Sequence, residues 1–134
     1  MKYLKTPFIL LTDLYDFIDV KSAYSFNTMK SNKEFTLSEK KSLSEIGETT
    51  RKYLENFDFK HSGSGMIYGL ACGNHAVSAE EKFYEWKSNG TTTANMALTE
   101  ALDALDNNRT FNKKYMDYCP DEVMCNSQCR SVFD

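Results

Sequence analysis

Two stretches of this chain repeat apolar residues with the period of a helix, and each carries its own start signal. In the first, Leu43, Ile46, Thr50, Tyr53, Leu54 and Phe57 recur at three- and four-residue spacing, which lays them along one helical face. Thr36-Leu37-Ser38-Glu39 stands ahead of them. It is a capping box, in which the Thr hydroxyl and the Glu carboxylate each take a backbone N–H that the first turn would leave unpaired. Gly47 interrupts the stripe at a cost of about 1 kcal/mol relative to Ala, and marks a place where another element can cross closely. In the second stretch, Met96, Ala97, Ala101, Leu102 and Leu105 form the stripe behind a cap in Thr91–Thr93, and Asn107-Asn108 ends it.

The remaining segments are less regular. Residues 1–11 read as a short strand or an extended arm, since Pro7 biases Thr6 away from helix. Thr12 or Asp13 then caps a helix carrying Leu14, Phe17 and Ile18, with Asp13 and Asp16 in its first turn, where the helix dipole favours negative charge. Asn27–Lys33 is a polar loop, and His61-Ser62-Gly63-Ser64-Gly65 is the main flexible joint. Met66–Gly73 is the least polar run. Its length suits either a buried strand or a short helix, and Gly69 and Gly73, four apart, favour a helix with a small-residue face. Ser78-Ala79-Glu80-Glu81 is a second capping box, predicting a helix through Phe83, Tyr84 and Trp86 that stops near Asn89-Gly90. From Phe111 the signals fade into a cysteine-containing tail. The expectation is one mainly α domain over residues 1–134, an irregular helical bundle with a small strand pair at most, and α+β as the alternative class.

Composition supports one folded unit. A chain of 134 residues, 41% hydrophobic and 13% aromatic, can bury a core and is too apolar for intrinsic disorder. The net charge of −3 argues against a basic nucleic-acid-binding surface. The run Phe8-Ile9-Leu10-Leu11 is too short for a signal-peptide core or a membrane span, so a cytoplasmic protein without a membrane partner is expected. Among the basic residues Lys outnumbers Arg 13 to 3, and there are 10 Asn. That usage fits an AT-rich genome such as many bacteriophages have.

Chemistry is sparse. Cys72, Cys119, Cys125 and Cys129 can be read as thiols, as two disulfides of unknown pairing, or as part of a zinc site. In that site Cys72 and His75 would join Cys125 and Cys129 as four tetrahedral ligands. Cys72 with His61 or His75 as base has the residue types of a thiol nucleophile, without a hydrolase signature around it. The glycines at 63, 65, 69 and 73 match no phosphate-binding motif. Asp13, Asp16 and Asp19 recur along one side of the expected first helix, and Trp86 lies in an aromatic cluster. These four are the candidate partner-binding residues.

The functional expectation is therefore a small non-enzymatic protein-binding protein without a cofactor, docking on a host or cellular protein with a basic surface. Its most specific form is a phage-encoded inhibitor of a host defence or nucleic-acid enzyme. A zinc-stabilised interaction module and a small enzyme built on Cys72 are the alternatives.

Overall fold

The computed structural model describes residues 6–24, 34–61, 63–73 and 81–130. The chain is α+β, and the expected helical bundle is replaced by a three-stranded parallel sheet with helices on both faces. In chain order the elements are β1 (Phe8–Asp13), α1 (Phe17–Tyr24), α2 (Leu37–Glu55) and β2 (Gly65–Leu70). A hairpin of β3 (Lys87–Ser88) and β4 (Thr92–Thr93) follows, then α3 (Ala94–Asp106), β5 (Asn112–Met116) and α4 (Ser127–Arg130). Strand order in the main sheet is β1-β2-β5, with Phe8 opposite Gly65 and Gly65 opposite Asn112.

The central strand is the segment that the sequence favoured as a helix. All six residues of β2 are buried, because helices cover both sides of it, so the run shows no polar alternation. Met66, Tyr68, Leu70 and Cys72 pack toward α3 with Phe83, Trp86 and Phe111. Ile67 and Ala71 pack toward α2 with Leu43, Leu54 and Phe59. Tyr68 is fully buried, and its hydroxyl donates to the Trp86 carbonyl at 2.6 Å while lying 2.9 Å from that of Thr92.

The helix starts expected at Thr36 and Thr93 stand. The one expected at Thr12 or Asp13 does not, since β1 runs to Asp13 and α1 begins at Phe17. Residues 78–80 of the other box lie outside the described residues. Thr36 caps α2 with its full box, and Thr93 caps α3 through the Met96 N–H. Gly47 does mark a close crossing: a Cβ there would fall 2.3 Å from the Tyr15 ring. The face of α3 differs from expectation. Ala94, Ala97, Ala101 and Ala104 turn inward, since bulky Tyr68, Phe83 and Trp86 beneath leave room only for small residues. Met96, Leu102 and Leu105 are left outside. The expected helix through Trp86 is a short 3-10 turn (Glu81–Glu85), and Asn89-Gly90 is not its end. These two residues open the three-residue connection 89–91 between β3 and β4, with left-handed φ of 47° and 70° that Asn and Gly tolerate in tight turns.

Candidate functional site: the free edge of the parallel sheet

Open parallel sheets usually bind ligands at the carboxyl ends of their strands, where successive connections leave toward opposite faces. Here that place lies between β1 and β2. Leu14 and Tyr15 after β1 join the α2 face, whereas Phe83 and Trp86 after β2 join the α3 face. The crevice is closed by the chain itself. The Leu14 N–H donates to the Leu70 carbonyl at 2.8 Å, and Cys72 at the end of β2 is disulfide-bonded to Cys129 in α4.

Asp117, just past β5, ties this end together. Its buried carboxylate accepts from the Ala71 N–H at 2.8 Å, the Asn89 N–H at 2.6 Å and the Asn126 side chain at 2.7 Å. The Asn89 side chain in turn donates to the Met116 carbonyl and accepts from the Tyr118 N–H. Every group here is engaged in holding chain to chain. A cavity of about 120 Å³ remains between α2 and this segment, bordered by Tyr15, Gly47, Arg51, Tyr118 and Pro120. Its arginine is occupied as well, paired with Glu55 and lying 4.8 Å from the centre of the Tyr118 ring. Burial pushes the Tyr15 phenol above its ordinary range, against a smaller opposing effect of a backbone bond with Met124.

The residues singled out from sequence are dispersed. Asp13 ends β1 rather than lying on a helix, and both it and Trp86 are only 6% exposed, so neither is presented to a partner. Asp16 is half-buried, while the side chain of Asp19 and that of His61 lie outside the described residues, as does His75. The four cysteines are paired as Cys72–Cys129 and Cys119–Cys125. None offers a thiolate in this state, whether to zinc or as a nucleophile. Among the described residues no group of three His, Cys, Asp or Glu is placed to share a metal ion.

Among the described residues, the outer side of β1 is an unpaired sheet edge. The direction of its backbone groups follows from the ladder. Leu14 N–H points to β2, and groups alternate along a strand, so Leu10 and Thr12 bond to β2 while Ile9 and Leu11 turn their N–H and C=O outward. The strand reads Phe-Ile-Leu-Leu-Thr-Asp, with its five residues before Asp13 all half-buried and none charged. Beside it runs a flank of α3. Glu100 reaches Tyr115 and Lys113 on β5, so Leu98, Leu102 and Leu105 lie on the flank of α3 turned away from β5, and Leu98 packs against the same core cluster as Ile9 and Leu11. Leu102 is 55% and Leu105 38% exposed.

Family models, curated proteins and solved structures give no match to this chain. The site is therefore read from its own geometry.

Proposed function

We propose that this protein is a small non-enzymatic protein-binding domain that takes an extended segment of a partner as an added strand on β1. The observation that carries the reading is the uncharged edge strand with the outward N–H and C=O of Ile9 and Leu11, beside the exposed Leu102 and Leu105. Edge strands with such open backbone groups are templates for another strand, and alternate side chains of the incoming segment supply specificity. One face of the added strand would meet the leucines of α3, so apolar residues are expected at every second position. With a net charge of −3 on this chain, basic residues flanking that stretch would speed association. An inhibitor that occludes a host enzyme by capping one of its extended segments would work in this way.

An oxidising compartment belongs to the same proposal. All four cysteines are paired, which favours an oxidising setting over the cytoplasm expected from the N-terminal residues. Among the described residues, no helix is long and apolar enough to cross a membrane.

The test is selection of linear displayed peptides on the intact protein, followed by binding to two variants. Leu11→Ala removes the side chain and keeps the outward N–H. Leu11→Pro removes the same side chain and also places a ring where the N–H stood, without touching the bonds to β2. Selected peptides should have alternating apolar residues and lose about tenfold more affinity to Leu11→Pro than to Leu11→Ala. Equal binding to both variants would overturn the reading.

A further inference from the structure

The two disulfides differ in what can reach them. Cys72 and Cys129 are both buried, inside the core between β2 and α4. Cys119 and Cys125 are half-exposed and close a loop of six positions along the chain. Thiol–disulfide exchange needs a thiolate to approach a sulfur directly, so access sets which bond opens first.

The loop between Cys119 and Cys125 covers something. It inserts Val123 and Met124 among Leu14, Tyr15 and Met116, and Cys119 and Pro120 form one rim of the cavity shared by Tyr15, Arg51 and Tyr118. Met124 sits at φ 47°, a left-handed conformation that a side chain with a Cβ disfavours. A short covalent ring keeps the loop in that arrangement, together with a bond from the Cys125 N–H to Cys119 Sγ at 3.3 Å.

We propose that Cys119–Cys125 is a redox-released strap over this cavity, while Cys72–Cys129 is the permanent staple. The reductant is a dithiol, small or carried on a protein. One of its thiolates attacks one sulfur of the pair and forms a mixed disulfide. The Cys119–Cys125 bond breaks, and the other cysteine leaves as a thiolate that takes up a proton. The reductant's second thiol then displaces the attacked sulfur. The products are two thiols at Cys119 and Cys125 and an oxidised, cyclised reductant, so two electrons and two protons have passed to the protein. Freed of the ring, Met124 leaves its left-handed conformation, and Val123 and Met124 withdraw from Leu14 and Tyr15. Leu14 and Tyr15, which line the cavity beside Arg51 and Tyr118, are then uncovered. The core sheet keeps its staple and its Asp117 contacts.

Graded dithiothreitol on the folded protein tests this, with alkylation to locate the opened pair and amide exchange to follow the loop. The expected result is alkylation at Cys119 and Cys125 before Cys72 and Cys129. Exchange over residues 119–125 should rise by about tenfold or more, with β2 and α3 unchanged. The double variant Cys119→Ser with Cys125→Ser should show the same exchange pattern without reductant. Simultaneous opening of both bonds, prior opening of Cys72–Cys129, or an opened Cys119–Cys125 with unchanged loop exchange would each overturn the proposal. So would a double variant that fails to fold, because a releasable strap cannot be required for folding.

Discussion

β5 and β1 are the two edges of one parallel sheet, and their outer surroundings are built on opposite plans. β5 carries two lysines, and both are used. Lys114 donates to the Glu55 and Phe57 carbonyls and so satisfies the C-terminal end of α2, while Lys113 pairs with Glu100. Tyr115 adds a hydrogen bond to the same Glu100, and Asp117 binds the end of the strand to three other segments. Charges on an edge strand discourage strand addition, and here they also anchor the helices. β1 has no charge before its buried final Asp13 and no described strand on its outer side. The molecule thus spends its polar residues securing one edge and not the other. On the proposed reading, stability belongs to the β5 side and recognition to the β1 side.

That division predicts where substitutions hurt. The largest loss should follow Cys129→Ser, which releases a closure over 57 positions. A loop of that length corresponds to about 4 kcal/mol, measurable as a lowered denaturation midpoint. Asp117→Ala should cost about 3 kcal/mol, since two buried donors and a part-buried one lose their acceptor. A denaturation curve unchanged by Asp117→Ala would break the claim that this end is the secured one. Lys114→Ala should cost about 1 kcal/mol by leaving two carbonyls at the end of α2 without their cation.

A pH dependence belongs to the same edge. Burial, and then the bond to Glu100, push the Tyr115 phenol up to about 12 from 10.0. Between those values the unfolded chain gives up this proton more readily than the folded one, so stability falls as pH rises from about 10 to 12. Below pH 10 both states keep it and no slope arises. Thermal melts across this range should show a shallower decline for Tyr115→Phe than for the parent. The smallest stability effect is expected on the other edge. Leu11→Ala, at a half-buried position, should cost at most about 1 kcal/mol more than a fully exposed change.

The elements legible in sequence were those whose signals are local. The Thr36 box and the Thr93 cap depend on neighbours three residues away, and both helices begin where those residues place them. β2 was misread because its residues are buried on both faces, which erases the alternation that identifies a strand. Asn89-Gly90 carries a hairpin signature, but the aromatic run before it suits a helix ending there equally well. The site itself was the least visible. Asp117 meets partners 46 and 28 positions away, and nothing around Tyr115–Tyr118 announces them. The cysteine pairing is equally non-local. Asp13 and Trp86 looked like surface chemistry because sequence does not reveal which polar and aromatic residues a sheet will cover. The open edge could have been suspected from Phe8–Leu11, an apolar run without a charge. Its exposure depended on strand order, which only the fold supplies.

The most direct measurement is residue-resolved amide exchange in β1 and β5, with and without a saturating selected peptide. Added-strand docking predicts that the amides of Ile9 and Leu11 become protected on binding. Those of Leu10 and Thr12, already bonded to β2, should stay slow, and those of Asn112 and Lys114, which face away from β2 on the other edge, should not change. Peptide binding that leaves Ile9 and Leu11 as fast as before, or that protects β5 instead, would contradict the account.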